Sequence, residues 1–218
     1  MIKVVDKGNF NIIKVNKMNH QSKNSSIQIL GNNNTVYIES RCSFTNFRLI
    51  IRGDNNHVTI KRGTWFLGGA ISMASFSKLE IGERSSFGDR LEFVIESAKV
   101  LIGNDCMAAA GLTIRTTDTH GIYSLDSGKL LNRPTDVIIG DYIWFGKNVT
   151  VLKGATIGAC NIIAMESLFT KSSGTFELWG GRPARRIREN VMWSKSAHLN
   201  SIQDDKYAQM YIEKYKGR

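Results

Sequence analysis

His120 is the side chain best suited to chemistry at neutral pH. It stands in Thr116-Thr117-Asp118-Thr119-His120 and is one of four histidines, the others being His20, His57 and His198. An imidazole titrates near neutrality and can take a proton from a hydroxyl. On an arbitrary loop it would read as a solvated side chain, but here it lies in the one large interruption of a regular repeat. A thiol could instead form an acyl-enzyme, yet neither Cys106 nor Cys160 has a histidine nearby in sequence, and both read as small buried residues. Arg182, Arg185, Arg186 and Arg188 cluster within seven residues. Guanidinium forks match phosphate oxygens, although such a cluster taken alone reads as a solvated helix face.

A repeat must position these residues. Across 137–170, Ile139, Phe145, Val151, Ile157, Ile163 and Phe169 recur every sixth residue. Val137, Ile143, Val149 and Ala155 precede four of them by two positions, and Gly140, Gly146 and Gly158 follow three. A period of six is neither the 3.6 of a helix nor the 2 of a simple strand. It predicts a prism-like coil in which each unit makes a short strand and a corner, three units close a turn, and the periodic position points inward. Gly or Asn is expected at the corner for its left-handed dihedrals.

The repeat extends toward the N-terminus. Equivalent apolar positions fall at 13, 36, 58, 79, 100, 137 and 155, with spacings of 23, 22, 21, 21, 37 and 18. These predict about seven coils of one solenoid, each gaining stability by stacking on its neighbour. The 37-residue spacing marks an insertion, residues 115–135, which should project as a loop. After Thr170 the period stops. Residues 185–193 are expected as a helical run, with Ile187 and Val191 one turn apart. Residues 199–216 carry Ile202, Tyr207, Met210, Tyr211 and Tyr215 at helix-compatible spacing. This tail is expected to cover the open end of the stack or to pack on a neighbouring subunit, without a catalytic part.

Taken together, these residues resemble the hexapeptide-repeat, left-handed β-helix acyltransferases. The Asp118-x-His120 loop, Gly121-Ile122-Tyr123-Ser124, Asn132 and Ile139-Gly-Asp-Tyr-Ile-Trp-Phe-Gly146 are similar to the sugar O-acetyltransferases of bacterial capsule and lipopolysaccharide, polysialic acid O-acetyltransferases among them. The motifs cover roughly residues 80–193, and the N-terminal coils match as a generic β-helix. The resemblance implies an all-β, left-handed parallel β-helix over residues 1–182 with a projecting catalytic loop, and a short helical tail over 183–218. It implies that His120 is the general base, with Asp118 a candidate to orient the imidazole or the loop, and that acetyl-CoA is the donor. Trp144, which would otherwise read as a subunit-packing residue, would line the acetyl and pantetheine end of the donor site. Gly146, Ala164, Ser167, Lys171, Trp179, Gly181, Arg182, Pro183 and Arg185 would line the rest. Trp179-Gly-Gly-Arg-Pro-Ala184 resembles the family's closing Gly-x-Pro-Ala motif, with Arg182 where Asn is usual. A homotrimer is expected, since in the family that this chain resembles the histidine loop meets the donor groove across subunits.

Charge bounds the acceptor. The formal net charge is +10, from 29 Lys and Arg against 19 Asp and Glu. Arg115, Lys129 and Arg133 lie around the histidine loop with Tyr123 among them, so an acidic glycan is the expected acceptor, and the resemblance of the loop implies sialic-acid-containing capsule as one case. No nucleic-acid partner is expected. The N-terminal residues alternate without a signal-peptide core, and the least charged stretch, 65–76, is too short to span a bilayer. Three cysteines, odd in number and widely spaced, do not form a disulfide framework. The expected compartment is the cytoplasm or the periphery of the inner membrane. Three other functions fit less of the chain. A γ-type carbonic anhydrase needs about three zinc ligands, and the regular coils contain no histidine, so no metal is expected. A non-catalytic glycan-binding solenoid leaves the histidine loop unexplained. An N-acetyltransferase acting on an amino-sugar nucleotide stays open as the rival within the enzyme class.

Overall fold

The computed structural model describes residues 2–16, 18, 21–196 and 199–217; His20 and His198 lie outside the described residues. The six-residue register becomes a three-sided parallel coil. Short strands stack into sheets of eight, seven and nine strands, and all the pairings between them are parallel except that of the last hairpin. Ile13, Val36, Val58, Leu79, Val100 and Val137 form one continuous column across successive coils, as the spacings predict. Ile139, Phe145, Val151, Ile157, Ile163 and Phe169 all point inward, none more than 3% exposed. Burying each such side chain contributes about 1.5–3 kcal/mol, and only the neighbouring coils provide the apolar surface. Phe66 stacks on Phe44 and Phe87 at centroid distances of 5.4 and 4.9 Å. Asn34 and Asn56 form a buried ladder, Asn56 Nδ2 donating to Asn34 Oδ1 at 3.0 Å. The Asn34 and Asn56 amide oxygens each accept from a backbone amide of the next coil, Asn56 N and Ser77 N.

The corners differ from expectation in one respect. Gly140, Gly146 and Gly158 are not the left-handed residues; those come two positions later, at Tyr142 (φ 56°), Asn148 (φ 56°) and Cys160 (φ 60°). Glycine is required instead by close approach. A Cβ on Gly146 would stand 2.5 Å from the Met165 backbone nitrogen, and one on Gly158 2.1 Å from the Gly174 carbonyl oxygen.

The C-terminal part departs further. The strand Glu177–Gly181 pairs with Ile162–Ile163, and Ala184–Glu189 folds back on it antiparallel. Residues 185–193 are therefore not a helix. The free edge of Glu177–Gly181 offers a row of backbone partners that outweighs a weak local pattern, and Ile187, 61% exposed, marks no buried face. The boundary drawn between 182 and 183 falls in the turn of this hairpin. Trp179 closes the end of the core, edge-on to Phe169 at 5.2 Å.

One helix, α1 (Lys206–Tyr215), forms within the tail segment, capped by the Asp205 carboxylate accepting from the Tyr207 and Ala208 amides. It packs on the flank of the stack and not over its end. Tyr211 and Ala208 join Tyr142, Ala159, Cys160 and Trp193 in a second apolar cluster. Two aspartates from consecutive coils hold it there. Asp105, fully buried, pairs with Arg84 at 2.8 Å and accepts from the Tyr207 and Tyr211 hydroxyls. Asp141 pairs with Lys214 and accepts from Tyr215, each at 2.7 Å. Among the described residues no helix is long and apolar enough to cross a membrane.

Candidate active site

The insertion leaves the corner between the eight-stranded and seven-stranded sheets, after Thr113–Arg115 and before Val137–Ile139. Its two ends are tied together by Thr135 N donating to Thr116 O at 3.0 Å. Thr116 itself is buried, and its hydroxyl oxygen accepts from Glu96 N at 2.9 Å. Beyond this clamp the chain folds as a short hairpin, with Tyr123 bridging antiparallel to Leu130 and Leu131 N donating to Ile122 O at 2.8 Å. Asn132 braces the histidine side. Its Oδ1 accepts from Ile122 N at 2.7 Å, and its Nδ2 donates to both Asp118 Oδ2 and His120 O at 2.8 Å. Lys153, from the next coil, donates to Asn132 O at 3.0 Å and to Asp118 Oδ2.

Asp118 thus braces the loop, and no hydrogen bond joins it to the imidazole. Lys153 first, then Asn132, holds its carboxyl below the usual carboxylate range. His120 is exposed, and its ring has no hydrogen-bond partner among the described residues. Arg115 reaches Thr119 Oγ1 at 2.9 Å, next to the histidine, while Tyr123, Lys129 and Arg133 lie exposed along the arm.

Trp144 belongs to the strand Trp144–Phe145 in the nine-stranded sheet, the side of the prism opposite that corner. Within one chain the fold therefore keeps His120 and Trp144 apart. Phe145 points into the core while Trp144 faces outward, 39% exposed, between Met107 and Ile162 on the adjoining strands. Beside that column runs a row of small residues, Ala109, Gly146, Ala164 and Gly180, the last of them packed against the Ile187 side chain. A Cβ on Gly180 would stand 2.8 Å from Ile187 Cδ1 and 3.2 Å from the Ala164 methyl. Gly181, Arg182, Pro183 and Arg185 are exposed at the end of this row, whereas Lys171 is exposed at the corner between the eight-stranded and seven-stranded sheets, the corner from which the histidine insertion leaves. Arg186 pairs with Glu177 and Glu189, whereas among the described residues Arg185 donates only to the neighbouring Ala184 carbonyl. Two donor-site candidates are committed elsewhere. Ser167 is buried with its hydroxyl donating to Ala164 O at 2.6 Å, and the indole of Trp179 sits in the core, donating to Glu177 at 2.8 Å.

Cys42, Cys106 and Cys160 are buried, and burial pushes their thiols up to about 11, 12 and 12. None is poised as a thiolate at neutral pH. Among the described residues no group of three His, Cys, Asp or Glu could hold a metal ion. Two residues in contact with these groups escaped the sequence reading, Lys153 against Asp118 and Trp193 against Trp144. A lone lysine at the end of a regular strand carries no local signal. Trp193 could have been found as an aromatic residue beyond the repeats, where the periodicity no longer explains it.

The fold is that of the acyltransferases built on a hexapeptide-repeat solenoid. The chain matches no protein-family model. A polysialic acid O-acetyltransferase of Neisseria meningitidis is 34% identical over 182 residues, 83% of this chain and 85% of that protein. One from Escherichia coli O1:K1 / APEC is 34% identical over 146 residues, 67% of this chain and 48% of that protein. The crystal structure of the polySia-specific acetyltransferase NeuO superimposes with a TM-score of 0.91 at 33% identity, covering 98% of each chain. That of the polysialic acid O-acetyltransferase OatWY gives 0.90 at 30% identity, covering 97% of this chain and 99% of the other. The chain belongs to the polysialic acid O-acetyltransferase family and is an acyltransferase. The likeness takes in the N-terminal coils as well as the motif region.

Proposed function

We propose that this enzyme transfers acetyl from acetyl-CoA to a hydroxyl of an acidic, sialic-acid-containing bacterial surface glycan. One observation carries the reading: an exposed histidine on a braced arm at one corner, and an exposed tryptophan beside a row of small residues on the opposite face. The acceptor class is supported by the activity named for the relatives and by Arg115, Lys129 and Arg133 around the arm. In the proposed reaction His120 takes the hydroxyl proton as the oxygen bonds to the thioester carbonyl carbon. The carbon–sulfur bond then breaks, and the imidazolium returns its proton to the departing thiolate. Main-chain amides stabilise the intervening oxyanion. No acyl-enzyme is involved, in keeping with three buried thiols.

His120 and Trp144 face apart in one chain, so the proposed active enzyme is a homotrimer in which the arm of one copy reaches the groove of the next. Ile122, Leu125 and Leu131 on the arm are 56%, 100% and 64% exposed, apolar surface that such an assembly would cover. Thiol release from acetyl-CoA, measured with polysialic acid, a neutral capsular polysaccharide and a set of amino-sugar nucleotides, tests the reaction. Release with polysialic acid and an alkali-labile acetyl ester in the product are expected. Turnover only on an amino-sugar nucleotide, giving an alkali-stable amide, would overturn the O-acetyl assignment. A fully active monomer in light scattering would overturn the assembly.

A further inference from the structure

Trp193 lies outside the coils, yet it is 4% exposed and touches the strand that presents Trp144. Its ring stacks on Tyr142 at a centroid distance of 4.5 Å, and its Nε1 donates to Tyr142 O at 2.9 Å. Tyr142 is the left-handed corner residue two positions before Trp144, so this hydrogen bond fixes the entry to the strand Trp144–Phe145. The Trp193 ring also lies 6.0 Å from that of Trp144, tilted by 39°. It therefore screens one side of an indole that remains 39% exposed.

The seating of Trp193 is specific. The Tyr211 ring stacks on the same Tyr142 ring at 4.6 Å. Lys195, two residues after Trp193, reaches Asp105 at 3.4 Å and lies 5.2 Å from the centre of the Tyr207 ring. Ser194 donates to Asp205, the residue that caps α1. The tail thus delivers one indole against the outward face of the central coils, held by buried charge at Asp105 and by three aromatic rings. The main core does not include Trp193, Tyr211 or Ala208, so the stack folds around its own side chains.

We infer that Trp193 is a positioning residue for acetyl transfer, acting through Trp144: the docked tail sets the orientation of the Trp144 indole and with it the affinity for the acyl donor. This rests on the reading of Trp144 as part of the acetyl-CoA site. The inference separates the tail from a mere cover, since a cover would alter stability without acting on one substrate selectively.

A double-mutant cycle on the full chain decides it, using Trp193→Ala, Trp144→Ala and the double variant, with the KM for acetyl-CoA and the KM for acceptor measured separately. Trp193→Ala should raise the acetyl-CoA KM about two- to tenfold, the worth of one aromatic contact, while the acceptor KM stays constant. In the Trp144→Ala background the same substitution should have no further effect on acetyl-CoA KM. Trp193→Phe keeps a ring on Tyr142 but loses the donor to its carbonyl, and should fall between wild type and Trp193→Ala. It also carries the test if the alanine variant does not fold. Equal effects in both backgrounds, or an unchanged acetyl-CoA KM, would overturn the inference and leave the donor site standing. A Trp144→Ala variant with wild-type acetyl-CoA KM and kcat would remove the donor-site reading, and the inference with it.

Discussion

Lys153 follows Asp118 by 35 residues, and its ammonium bridges that carboxylate to the Asn132 carbonyl on the far side of the histidine loop. One cation from the coil beneath thereby joins the outgoing and returning strands of the insertion. His120 lies between Asp118 and Asn132 in the chain, so its backbone position is set even though its ring is free to meet another molecule.

Lys153→Ala should damage catalysis more than stability. The Asp118 side chain is 41% exposed, so solvent screens the pair and its loss should lower stability by about 0–1 kcal/mol. A loosened loop should nevertheless lower kcat on the order of 10- to 100-fold, the usual result of misplacing a catalytic group by about 1 Å. Lys153→Arg should restore part of the rate. Steady-state kinetics beside a thermal melt would show it, and an unchanged kcat would dismiss the strut.

His120→Ala should reduce turnover by about two to four orders of magnitude, the range for a lost general base, with little change in acetyl-CoA affinity. Donor binding measured by calorimetry separates the two effects. Retention of more than about a tenth of the rate would be incompatible with this role.

The tail should detach in acid before the coils unfold. Burial pushes the Asp105 carboxyl up, but its hydrogen bonds from Arg84, Tyr207 and Tyr211 outweigh burial and hold it below its ordinary value. A carboxyl lowered in the folded state contributes stability that is fully present above its unfolded value, about 3.9, and is lost as pH falls through the folded value. Asp141 shifts the same way, burial again opposed by Lys214 and Tyr215. Tryptophan fluorescence should therefore change below about pH 4 while the β-sheet circular dichroism persists. Simultaneous loss of both signals would show that the tail and the stack unfold as one unit.

Gly146→Ala should be more harmful than Asn148→Gly, although Asn148 is the residue with positive φ. The added methyl would meet Met165 backbone at 2.5 Å, where no side chain can yield. Overpacking of this kind costs about 1–3 kcal/mol, whereas glycine accepts a left-handed position readily. Melting temperatures of the two variants would rank them, and the reverse order would point to φ as the governing constraint.

Salt should weaken the acceptor selectively. If Arg115, Lys129 and Arg133 steer an anionic glycan, its KM should rise several-fold between low and moderate ionic strength, as the Debye length shrinks toward about 8 Å. Arg133→Ala should flatten that rise. An acceptor KM indifferent to salt would remove steering from the account of the acceptor.

The inward column from Ile13 to Val137, the buried hexad from Ile139 to Phe169 and the projecting insertion were all legible from residue type and spacing. A solenoid repeats one local rule in every coil, and the apolar residues that obey it are those that neighbouring coils must bury. The corner glycines were legible as required residues, but the reason for them was not. Their constraint is an approach of 2–3 Å between coils, which no single turn displays. The strand Ala184–Glu189 was hidden for a related cause, because the sheet edge that recruits it exists only after the last coil has stacked. The role of Asp118, the seating of α1 on Asp105 and Asp141, and the meeting of Trp193 with Trp144 were also decided in three dimensions. Tyr211 reaches Asp105 across 106 positions of sequence. Contacts at that separation follow no local period, and the folded stack alone brings the two groups within reach.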